Sequence, residues 1–83
     1  MWIKNQRSTQ IINLSGYDRI GIKEGNDSWH VLGIKETFID KMHLLPAYTD
    51  FGTYKTEESA LSVLSEIYEH IADGTSHYSM PTE

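Results

Sequence analysis

Apolar and polar positions keep two different rhythms along this chain. Residues 19–24 alternate, with Ile20 and Ile22 on one side and Arg19, Gly21 and Lys23 on the other, which is the period of a strand. Residues 29–38 continue in the same way, grouping Leu32, Ile34 and Phe38 against Trp29 and Val31. Between the two runs stands Gly25-Asn26-Asp27-Ser28, whose residue types tolerate positive φ and bond local backbone, so a hairpin turn is predicted there. Upstream, residues 2–4 and 11–14 flank the polar stretch 5–10 and predict a first hairpin, with a turn at 15–18. From Thr56 onward the apolar spacing becomes three and four: Ala60, Leu61, Leu64, Ile67, Tyr68 and Ile71 form a helical stripe. Thr56 is a natural N-cap, Glu57 and Glu58 suit the positive end of the helix dipole, and Gly74 marks the stop.

Residues 39–50 follow neither rhythm. Pro46 bars a central-strand ladder position, so this stretch reads as a long loop anchored by Leu44, Leu45 and Tyr48, with room for one short strand. Residues 51–54 then form a last strand feeding the helix. One amphipathic helix cannot bury its stripe alone, and a sheet with one apolar face needs a cover. The expected fold is therefore α+β, a four- to five-stranded antiparallel meander with one C-terminal helix packed on one face. The expected layout is a single domain over 1–83, with sheet hairpins in 1–38, the loop in 39–50, strand and helix in 51–74, and a tail in 75–83.

Composition narrows the function classes. At 83 residues and 39% hydrophobic, the chain is near the lower limit of what folds without staples. The absence of cysteine removes disulfides, thiolate catalysis and cysteine–zinc sites, and fits a cytoplasmic protein. No apolar run reaches the roughly 20 residues of a membrane span, and the first ten residues lack the apolar stretch of a signal peptide. Neither a membrane nor a cofactor is expected. The net charge of −5 is unevenly spread. Residues 1–55 carry all seven bases and six acids, whereas residues 56–83 carry six acids and no base, a local charge of −6. That distribution disfavours direct nucleic-acid binding by the C-terminal part, because such affinity comes mostly from Lys and Arg on phosphates.

The run 51–61, Phe-Gly-Thr-Tyr-Lys-Thr-Glu-Glu-Ser-Ala-Leu, the earlier Ile11–Leu14 and the ending Tyr78-Ser79-Met80-Pro81 resemble a pattern in short proteins of Gram-positive bacteria and their phages that have no assigned activity. Those proteins share a few strands, a Gly-x-Tyr-x-Ser/Thr-Glu-Glu approach to a helix, and a Tyr/Met-Pro tail. The motif is a strand-to-helix junction, so the resemblance implies a layout and a phage-related origin, and no chemistry.

Catalytic constellations are weak. The histidines at 30, 43, 70 and 77 show no paired ligand spacing on one element, and Ser59, Ser62 and Ser65 have no histidine at a spacing that suggests a nucleophile and base. The glycines form no phosphate loop. No enzymatic activity and no metal are expected. The aromatic residues should mostly be core, with Trp2 and Trp29 on the side of the sheet away from the helix. The outer side of the helix is the unusual feature: Glu58, Glu66, Glu69 and Asp73 lie there among serines, without a single lysine to support them in i,i+4 pairs. Two origins suffice for it, a solvated face (free or paired with lysines of the sheet half) and a docking surface for a basic protein. The expected function is a non-enzymatic binding module, dimeric because small and edge-exposed, that uses these four carboxylates. The alternative is a small-ligand pocket between the sheet and the 39–50 loop, lined by Lys41, His43 and Tyr48.

Overall fold

The computed structural model describes residues 1–38 and 44–83. The fold is α+β, with one helix and, among the described residues, two sheets of three strands each. The single meander expected from the sequence is therefore corrected to two sheets. The first combines β1 (Trp2–Lys4), β2 (Ile11–Asn13) and β6 (His77–Ser79) in the order β2-β1-β6. The second combines β3 (Arg19–Gly25), β4 (Ser28–Phe38) and β5 (Leu44–Tyr54) in chain order, which is the expected meander at smaller size. Helix α1 runs from Glu57 to Ala72.

Local chemistry accounts for the hairpins. β1 and β2 pair antiparallel, with Ile3 opposite Ile12. The polar stretch between them is folded around Asn5, whose Oδ1 accepts from the backbone N–H of Thr9 and Gln10 while its Nδ2 donates to Thr9 Oγ1. This satisfies a side chain that is otherwise buried. β3 and β4 meet at a two-residue turn in which Gly25 faces Ser28 and Asp27 takes a φ of 54°. Asn26 and Asp27 are exposed, as a turn of this kind requires.

β5 begins at Leu44, so residues 44–50 are strand where the sequence suggested loop. Pro46 is tolerated because β5 is an edge strand that pairs on one side only, with Pro46 opposite Glu36. The tail also holds a strand: β6 pairs parallel to β1, and Met80 N–H extends the ladder by donating to Lys4 O at 2.9 Å. Met80 then enters the core and Pro81 O accepts from Tyr54 Oη at 2.8 Å.

The core is one cluster drawn from both sheets and the helix, including Ile3, Ile12, Val31, Phe51, Tyr54, Val63, Ile67 and Met80. Trp29 packs against it from the helix side of the second sheet, correcting its expected place on the far side. Trp2 stands half-exposed. Gln6 ties the two sheets together: its N–H donates to Phe51 O, its Nε2 to Thr53 O, and its Oε1 accepts from Thr53 N–H.

The helix ends are as expected. Thr56 Oγ1 accepts from Ser59 N–H at 3.1 Å, and Gly74 takes a φ of 74° while Thr75 N–H reaches back to His70 O. Its roll is different. Ala60, Val63 and Ile67 face the core and Leu64 is half-buried, while Leu61, Tyr68 and Ile71 of the predicted stripe are exposed. The short side chains at 60 and 63 let this edge of the helix approach the sheets, and that turns the larger edge outward. Truncation tests this roll. Ile67→Ala should cost about 2–5 kcal/mol, as loss of a buried aliphatic side chain. Leu61→Ala should stay within about 0.5 kcal/mol. Urea melts in which Leu61→Ala is as damaging as Ile67→Ala would restore the stripe expected from the sequence, which held both residues.

Candidate functional site

Rolling α1 inward along Ala60, Val63 and Ile67 leaves two other strips of it in solvent. One is apolar: Leu61 is 43% exposed, Ile71 47% and Tyr68 71%. The other carries Glu58, Glu69 and Asp73, all exposed, with Glu66 towards β6. At 3.6 residues per turn the two strips are neighbours on the helix surface. The apolar one borders a recess of about 590 Å³ lined by Leu64, Ile67, Tyr68 and Ile71 from the helix and Ile20 from β3, with Ser65 and Glu69 on its acidic side.

The four carboxylates are not equivalent. Tyr78 Oη donates to Glu66 Oε2 at 2.6 Å, so Glu66 is partly committed to holding the tail. Among the described residues, Lys and Arg make no ion pair with α1: the two pairs present are Arg19 with Glu36 and His30 with Asp50. Pairing with lysines of the sheet half thus does not explain the acidic strip among these residues. Glu69 lies in the last turns and Asp73 at the C-cap, where the helix dipole disfavours negative charge.

Two tyrosines feel this acidity. Burial pushes the Tyr54 phenol up to about 12, with further contributions from the charges of Glu83, Glu66 and Asp50. Tyr78 is raised as well, first by burial and then by its hydrogen bond to Glu66.

A polar cluster that the sequence reading missed lies on the other side of the second sheet. His30 Nδ1 lies 2.9 Å from Asp50 Oδ2 and 3.1 Å from Thr53 Oγ1, and its Nε2 lies 3.4 Å from Ser28 Oγ. Asp50 and Thr53 are three apart, and in a regular strand they would point to opposite faces. A bulge changes that: Val31 pairs with Gly52 but Leu32 with Asp50, so Phe51 is the extra residue. Phe51 goes into the core while Asp50 and Thr53 both reach His30. Gly25 makes room for the ring, since a Cβ there would sit 2.6 Å from His30 Nε2. The order hydroxyl, imidazole, carboxylate is that of an acyl-transfer relay. However, the Oγ–Nε2 contact is long, Nδ1 is shared between two oxygens, and Asp50 is half-exposed. What these contacts do show is a link between β4 and β5. The cluster's one sequence signal was Ser28-x-His30, two residues that share a strand face.

Lys41 and His43 of the alternative ligand pocket lie outside the described residues. Tyr48 is exposed on β5, with Lys23 Nζ 4.8 Å from its ring centroid. Among the described residues no group of three His, Asp or Glu side chains is placed to hold a metal ion, and no helix is long and apolar enough to cross a membrane. Comparison with protein-family models, curated proteins and solved structures finds no match to this chain.

The tyrosines supply a pH test. A phenol whose folded value is raised favours the neutral form in the fold, so its contribution is complete below pH 10 and is lost as pH climbs towards about 12. The fall in urea-melt stability across that window should be shallower in Tyr54→Phe than in the wild type. Parallel curves would contradict the environment described for Tyr54.

Proposed function

We propose that this protein is a small non-enzymatic binding module that docks on a basic protein through the outer side of α1. The observation that carries this reading is the pairing of two exposed strips on one helix, one apolar and one acidic without a Lys or Arg partner among the described residues. A merely solvated helix gains from interspersed lysines, and residues 56–83 contain none. Large apolar side chains beside unneutralised carboxylates suit a partner with the opposite charge and an apolar centre, where buried contacts give affinity and the charged rim gives encounter rate and specificity. Glu58, Glu69 and Asp73 form that rim, with Glu66 contributing charge while it holds Tyr78. Self-association is a separate part of the proposal. Among the described residues each sheet ends in two strands that ladder on one side only, with Gln6 covering β5 at Phe51 and Thr53, and pairing of such an edge would leave the α1 side free for the partner.

The triple variant Glu58→Lys, Glu69→Lys, Asp73→Lys tests the docking side directly. It spares Glu66 and the core, and cations suit the last turn of a helix, so its melting curve should match or slightly exceed that of the wild type. Protein captured from cell extract by the wild type at low salt should be released at high salt and not captured by the variant. Equal capture by both, with equal stability, would remove the acidic side from the function.

A further inference from the structure

The recess beside the apolar strip does not end at the helix. A second recess of about 370 Å³ is lined by Met1, Leu14, Tyr17 and Ile20, and it shares both Ile20 and Ile71 with the first. The two form one trough, from Leu64 and Tyr68 on α1, across Ile20 at the start of β3, to Leu14 and Met1. We propose, building on the reading of α1 as the docking side, that the occupant of this trough is an amphipathic α-helix with basic residues flanking its apolar stripe.

Dimensions and charge point to that occupant. From Leu61 to Ile71 the apolar strip spans about 15 Å at 1.5 Å per residue, close to three turns of a partner helix. Helices seat on such troughs through residues at i, i+3/i+4 and i+7, whereas an added strand needs a free backbone edge more than an apolar floor. The charged side chains along the trough are Glu69, Asp18 and Arg19; Arg19 is held by Glu36 and Asp18 Oδ2 accepts from Glu36 N–H, which leaves Glu69 free. Glu57 and Glu58 add negative charge at the N-terminal end of α1. The free rim is thus acidic, and it asks for Lys or Arg. A second copy of this chain seated through α1 would bring a helix with no Lys or Arg and set carboxylates against carboxylates, so self-association does not fill the trough. An anionic lipid surface meets the same repulsion.

Fluorescence anisotropy with three labelled synthetic peptides tests the proposal. The first carries leucines at helical spacing with lysines elsewhere. The second has the same composition with leucines at every other position, and the third replaces lysine by glutamate. The wild-type protein should bind the first at least tenfold more tightly than the other two, and that peptide should gain helical circular dichroism on binding. Tyr68→Ser and Ile71→Ser, both at exposed positions, should each weaken it several-fold without lowering the melting temperature. Equal binding of the first two peptides, or no effect of the serine variants while the lysine triple variant still abolishes binding, would leave the acidic docking side standing and overturn the helical occupant. If neither basic peptide binds the wild type, the trough and the acidic side both fail. Sedimentation showing a dimer that Tyr68→Ser dissolves would give the trough to a second copy and overturn the proposal.

Discussion

One helix has to close a core for two sheets that, among the described residues, share no strand ladder. That constraint organises the rest of the structure. Ile3 and Ile12 come from the first sheet, Val31 and Phe51 from the second, and Ile67 from the helix, and they join one apolar cluster. Among the described residues each sheet has three strands, and those of the first, only three residues long, could not persist in water without that shared burial. Gln6 holds the junction with three kinds of hydrogen bond to β5, and the chain after the helix completes it when β6 pairs with β1 and Met80 fills the core.

The outer side of α1 follows from the same requirement. To sit against β3, β4 and β5 the helix presents its narrowest edge, Ala60 and Val63 with Ile67, so its bulkier residues cannot all be buried. Leu61, Tyr68 and Ile71 go to solvent beside an acidic strip that no described Lys or Arg neutralises. Exposed apolar side chains reduce solubility, and three of them together on one helix beside a recess are what the proposed docking side would use. The proposed function rests on that packing consequence as much as on charge.

Signals confined to a few consecutive residues could be read from the sequence alone. The Thr56 cap, the Gly74 stop, the Asn26-Asp27 turn and the first hairpin all depend on contacts within a few positions. The acidic character of the helix was equally plain, because charge composition needs no coordinates. What escaped was non-local. β6 is only three residues long and pairs in parallel with the other end of the chain, which leaves no periodic trace. The roll of α1 was only partly legible: Ala60 and Ile67 of the expected stripe are buried, but the bulkier Leu61, Tyr68 and Ile71 drew the stripe away from Val63, and only the second sheet's position decides between the two edges. The His30 cluster depends on a bulge at Phe51, which places Asp50 and Thr53 on one face against the ordinary strand period.

The central claim is that α1 is buried along one edge and bare along the next. Paramagnetic relaxation of side-chain methyl signals by a soluble, uncharged gadolinium chelate measures that directly. The account predicts strong relaxation for the methyls of Leu61 and Ile71, and protection of those of Val63 and Ile67. Equal protection of Leu61, Ile71 and Ile67 in the monomer would contradict it.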